Sequence, residues 1–140
     1  PPAVILFQYF SFLAAVTLKP ATCKVLFLFI SKVIYGNVVS MDIKTIIEET
    51  CLSNMSVSRS LNELVQSNVI IKSKYATDRR RNEYWINPLA MWKGNSIKRK
   101  RVIEKNINQL EMFGKNGEQY QKDENTKSKE VFSDTFIGKL

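Results

Sequence analysis

The chain has 140 residues, enough for one domain with a modest core. Its net charge is +8, and it contains no histidine. That composition excludes zinc sites built on histidine, histidine general bases, histidine-dependent serine triads and nucleases that hold metal through paired histidines.

The chain begins at Pro1 and not at Met, which reads as a fragment or a chain with a missing leader. Residues 3–18, AVILFQYFSFLAAVTL, are too short for a membrane span, carry Gln8 and follow no basic region. They read as a first helix over 4–16, either buried or dimer-forming. Thr17 to Pro20 break it, and Pro20 suits the first turn of a second helix, where its missing N–H has no role. That helix runs to Tyr35. Lys24 to Ile30 are apolar nearly all round, which predicts the central core helix. Gly36-Asn37 then read as its C-cap and turn, and Val38-Val39-Ser40 as a short edge strand.

A third helix is expected over 42–50, where Ile43, Ile46 and Ile47 share a face. Ser53 is a good N-cap for a fourth helix over 54–67. In it Val57, Leu61, Leu64 and Val65 form an apolar stripe. The opposite face carries Met55, Arg59, Asn62 and Gln66, flanked by Ser56 and Ser58. Asn68 is a left-handed C-cap. Residues 69–74 and 83–87 read as paired strands, the second ended by Asn87-Pro88. The loop between them holds Thr77, Asp78, Arg79, Arg80 and Arg81.

From Ile97 a helical stripe of Ile103, Ile107, Leu110 and Phe113 returns. Lys98, Arg99, Lys100 and Arg101 crowd its first turn, the end where the helix dipole disfavours cations. They read as a solvated basic turn or as one relieved by an external anion. Residues 114–130 are polar and expected to be disordered, and VFSDTFIGKL ends the chain as a small apolar island. Three parts follow: a winged-helix domain with an N-terminal helix over 1–96, an amphipathic helix over 97–113 and a flexible tail over 114–140.

The charge is concentrated. Residues 71–105 carry 11 Lys and Arg against 3 Asp and Glu, which accounts for the whole excess of +8. Such a block beside a fold signal points to a polyanion. No basic helix with a bulky apolar face accompanies Arg79 to Arg81, so nucleic acid is favoured over membrane lipid. Chemistry has little support elsewhere. Glu48 and Glu49 are neighbours that diverge on a helix, no glycine-rich phosphate loop occurs, and Cys23 and Cys51 lack metal or disulfide spacing and read as buried reduced thiols. No enzyme, metal or cofactor is expected.

The order of elements is that of a winged helix-turn-helix: mainly α, with a small β-hairpin and extra helices at both ends. Leu52 plugs the turn between the third and fourth helices. The fourth helix offers a polar face narrow enough for the major groove, about 12 Å wide. The hairpin loop projects as a wing, and its arginines gain by releasing counterions from phosphate. The candidate DNA-binding residues are Ser53, Asn54, Met55, Ser56, Ser58, Arg59, Asn62, Lys72, Lys74, Thr77, Arg79, Arg80 and Arg81.

The stretch IIEETCLSNMSVSRSLNELVQSNVIIKSK, followed by RRNEYWINPLAMWKGN, resembles the core of RepL-type plasmid replication initiators. The match lies in Leu52-Ser53, Val57, Leu61, Leu64, Asn68-Val69, Asn87-Pro88 and Lys93-Gly94, with FQYFSFLAAVTL and KVLFLFI resembling the family's two opening helices. Cys51 and Asn68 stand where the family usually has glycine. The resemblance implies a plasmid or phage initiator that binds origin DNA without covalent chemistry. A transcriptional repressor of the same fold is the alternative, and a protein-docking adaptor fits the charge map less well. A cytoplasmic homodimer on double-stranded DNA, with host replication proteins as further candidate partners and no membrane contact, completes the expectation.

Overall fold

A computed structural model describes residues 3–73 and 82–113 of the chain. The first element is not a helix. Strand β1 (Ile5–Leu6) precedes helix α1 (Gln8–Thr17). The helix expected from residue 4 starts late because Ile5 and Leu6 pair antiparallel with Trp92 and Met91, and the Phe7 N–H donates to the Ala90 carbonyl at 3.1 Å. Backbone committed to that ladder is unavailable to a helix. Phe10, Leu13 and Ala14 turn α1 onto the core, while Phe12 and Val16 stay exposed at 46% and 55%.

Helix α2 (Pro20–Lys32) starts on Pro20 as expected and buries Val25, Leu26 and Phe29. It ends three residues before Tyr35. Val33 is already extended, and Ile34 forms an antiparallel bridge to Val38. Gly36 and Asn37, both at positive φ (83° and 68°), form the tight turn into strand β2 (Val38–Met41) and do not cap the helix. Asn37 also has a second role. Its buried Nδ2 donates to the carbonyls of Ile86 (2.9 Å) and Met91 (2.7 Å), and its Oδ1 accepts from the Lys93 N–H at 2.8 Å.

Helix α3 (Ile43–Thr50) is capped by Asp42, whose carboxylate accepts from the Thr45 N–H at 2.9 Å. Helix α4 (Asn54–Gln66) follows after a three-residue turn, then strand β3 (Ile70–Lys72) and strand β4 (Asn82–Ile86). The sheet order is β2-β4-β3, all antiparallel, with β4 central and β2 an edge strand as expected. Strand β5 (Met91–Trp92), too short to show any periodicity in the sequence, pairs with β1 and with no other strand among the described residues. The helices α2, α3 and α4 pack on one another, and α4 joins directly to the sheet. This is a winged helix-turn-helix, mainly α with a small sheet.

Helix α5 (Ser96–Asn106) is shorter than the expected amphipathic helix to 113. A 3-10 turn at Ile107–Gln109 breaks it, Ile107 is 65% exposed, and the chain doubles back so that Leu110, Met112 and Phe113 are buried. The Asn68 side chain drives that reversal by donating to the carbonyls of Gln109 (2.6 Å) and Glu111 (2.9 Å). Asn87 adds donors to the carbonyls of Asn68 (2.9 Å) and Leu110 (2.8 Å). The Phe113 ring then stacks on Phe10, with centroids 6.3 Å apart.

Candidate nucleic-acid interface

The turn between α3 and α4 requires a left-handed residue. Cys51 supplies it at φ 58°, with its N–H donating to the Ile47 carbonyl at 2.9 Å. A side chain there is strained relative to glycine. The turn also leaves the Cys51 thiol exposed, contrary to the expectation of a buried thiol; Cys23 is half-buried, and burial together with Glu63 raises its pKa. Leu52 is partly buried against the core, as a plug between the two helices must be. Ser53 caps α4: its Oγ accepts from the Ser56 N–H at 3.1 Å and donates to the Ser56 Oγ at 3.1 Å. A cap of this kind contributes about 1 kcal/mol.

Capping and packing together fix the rotation of α4. Val57, Ser60, Leu61 and Leu64 face inward. Val65, assigned to the apolar stripe, is instead 40% exposed, and Ser60, on the other flank of the stripe, is buried. Met55, Ser58, Arg59, Asn62 and Gln66 are exposed, as is Asn54 at the helix start; Ser56 is half-buried. The carboxylate of Glu63, one turn from Arg59, is tied to the Lys19 N–H at the start of α2, at 3.0 Å. The outward face presents Arg59 as its one cation, with Met55 and the uncharged polar side chains of Ser58, Asn62 and Gln66.

Lys72 lies opposite Tyr84 in the β3–β4 register. Strand alternation puts it on the same face of the sheet as the buried Ile70 and Tyr84, and it is exposed. Lys74, Thr77, Arg79, Arg80 and Arg81 lie outside the described residues, as does the tail from 114.

The basic turn of α5 divides in two. Lys98, Lys100 and Arg101 are exposed, but Arg99 is 5% exposed. Its Nε donates to the Pro88 carbonyl at 3.0 Å, and its guanidinium lies 4.2 Å from the centre of the Phe7 ring. Burial pushes its pKa down to about 10. The expectation of a uniformly solvated or anion-bound turn is thus wrong for Arg99, which bolts α5 to the segment before α1. The helix N-terminus is capped by Asn95, whose Oδ1 accepts from the N–H groups of Ile97 (2.7 Å) and Lys98 (3.3 Å). Nothing in a run of four basic residues marks the second as the buried one.

Among the described residues, no group of three or more His, Cys, Asp or Glu is placed to hold a metal, and no helix is long and apolar enough to cross a membrane.

No curated protein matches the chain. Among solved structures it is similar to NadR in complex with 4-hydroxyphenylacetate, at 13% identity over 95% of this chain and 81% of that one, with a TM-score of 0.40. It is also similar to a possible transcriptional regulator from Methanosarcina mazei Go1, at 18% identity over 79% of this chain and 92% of that one, with a TM-score of 0.42. A family model described as Firmicute plasmid replication protein (RepL) matches residues 10–135, so the match runs from α1 through the capped α4, the hairpin and α5. The chain belongs to the RepL family.

Proposed function

We propose that the protein binds double-stranded DNA sequence-specifically and initiates plasmid replication at an origin, without covalent chemistry or a cofactor. The observation that carries this reading is the outward face of α4, where Arg59 and Asn62 stand exposed on a helix whose cap and inner face are fully engaged. Family membership supports the replication role. Arg59 suits the guanine edge and Asn62 the adenine edge, while Met55 offers apolar contact to a thymine methyl. Ser53, Asn54, Ser56 and Ser58, near the helix start, reach phosphates or bases. Lys72, Lys74 and Thr77 with Arg79, Arg80 and Arg81 follow the backbone.

The working form is a homodimer in the cytoplasm, associated with plasmid or nucleoid. The exposed Phe12 and Val16 on α1 support a second copy as its cover, and two α4 helices then meet half-sites about one helical turn apart. Host replication proteins are further partners of this reading.

Selection of bound sequences from plasmid and genomic DNA tests it. Enrichment of a site inside a replication origin is the expected result; a site overlapping a promoter would indicate a repressor instead. Replacing Arg79, Arg80 and Arg81 together by alanine should lower affinity for site and non-site duplexes by similar factors. It should also flatten the plot of log affinity against log salt by about 3. An unchanged slope would remove the wing from the interface.

A further inference from the structure

The exposed cations of α5 do not belong to the end of the fold that carries α4's first turns and Lys72. Strand β4 runs from Asn82, at the wing, to Ile86, and five strand residues span about 16 Å. Beyond Ile86, Asn37 ties that carbonyl to Met91, and the Gly36 N–H donates to the Lys93 carbonyl at 2.7 Å. Helix α5 is mounted there. The chain beyond α5, after the reversal at 107–109, returns to Ser67, whose carbonyl accepts the Phe113 N–H at 2.7 Å. Ser67 in turn lies about 20 Å along α4 from its capped start.

On α5 the positions 98, 101 and 105 share one face at 100° per residue, while Arg99 points into the protein and Lys100 shares a different face with Glu104. Lys98, Arg101 and Lys105 are all exposed. Their spacing sets successive cations about one helical turn, roughly 5 Å, apart. The row is held in position by Arg99 and by the Asn95 cap, and the Lys98 Nζ lies 5.1 Å above the Tyr35 ring. Tyr35, Asn95, Ile97, Lys98 and Arg101 line an open cleft of about 450 Å³ beside it. No acidic residue stands in the first turn of the helix. The Asn95 carboxamide already satisfies the helix's leading N–H groups, so the side-chain row, and not the helix terminus, is the feature left to a ligand.

A row of three cations, flanked by one carboxylate at Glu104, keeps an excess of positive charge and fits a polyanion whose charges also recur along a line. We propose that the α5 stripe is a second DNA-binding surface, which holds a duplex segment other than the one read by α4 and the wing. The proposal rests on the DNA-binding reading above. One protein would then join two segments of duplex, such as separate stretches of an origin.

The test is capture of a labelled duplex by protein already bound to an immobilised one, alongside ordinary binding to a single short duplex. The full chain and the variant Lys98→Gln/Arg101→Gln/Lys105→Gln are compared, and light scattering reports their masses. The expected result is single-duplex affinity within about 2-fold of the original chain, an unchanged mass and at least about 5-fold less capture. The charge-keeping variant Lys98→Arg/Lys105→Arg should capture normally. Equal loss of single-duplex binding would put the stripe in the primary interface and overturn the proposal. So would a change in mass, which would make it a subunit contact, or undiminished capture. Wild-type protein that binds one duplex but captures no second would overturn this inference and leave the DNA-binding reading standing. Wild-type protein that binds neither would overturn both.

Discussion

Two ends of this small fold use the same side chains in opposite ways. At the closed end, Asn37, Asn87 and Arg99 are buried, and their polar atoms hold four separate stretches of backbone together. At the open end, Arg59 and Asn62 are of the same two residue types, yet they stand out from α4 into solvent. The difference teaches that residue type alone does not identify a reading group. What separates the two sets is burial, with side-chain donors engaged by carbonyls of the same chain and, for Arg99, by the Phe7 ring.

The comparison breaks most sharply at Asn37. Asn37→Ala removes two donors and an acceptor from a buried site and leaves their backbone partners unpaired, so it should lower stability by about 3–5 kcal/mol. A urea titration that shows less than about 1 kcal/mol would mean water replaces the side chain and the closed end is not closed. Arg99→Ala should follow at about 2 kcal/mol, through the lost Pro88 hydrogen bond and the lost packing on Phe7. It should leave the salt dependence of DNA binding unchanged; a slope lowered by about 1 would transfer Arg99 to the DNA-contacting set.

At the open end the expected signs reverse. Arg59→Ala should weaken binding to the selected site by about 1–3 kcal/mol while stability stays within about 0.5 kcal/mol. Equal weakening on scrambled duplex would reduce Arg59 to a backbone contact. The smallest effect is expected at Cys51, where φ is 58°. Cys51→Gly should raise stability by about 0.5–1 kcal/mol by relieving the left-handed strain, measured by thermal unfolding. Destabilisation there would show that the thiol's packing outweighs the strain.

Much of the open end was legible because its signals are local. Ser53 before a periodic helix, Asn68 after it and the polar face between them need no knowledge of the rest of the chain. Helix α2's start at Pro20 and the paired β3 and β4 strands are legible for the same reason. The closed end is built from long-range partners and was not. A two-residue strand such as β1 or β5 has no period to detect. Asn37 reads as a turn residue and Asn87 as the end of a strand, but nothing nearby shows that their carboxamides reach Met91 and Leu110. The break at Ile107 was hidden because Leu110 and Phe113 continue the helical spacing while being buried by a chain reversal instead.

The Asn37 joint also sets a waiting time during synthesis. Its partner Lys93 lies 56 residues further along the chain. A ribosome adding roughly 5–20 residues per second takes about 3–11 s to make that stretch. For most of that interval the Asn37 carboxamide lacks its carbonyl partners Ile86 and Met91, and the core around α1 and α2 lacks Met91 and Phe113. A newly made chain is therefore more exposed to aggregation and proteolysis than the finished fold, and a slowed or interrupted translation near residue 93 would lengthen that exposure directly.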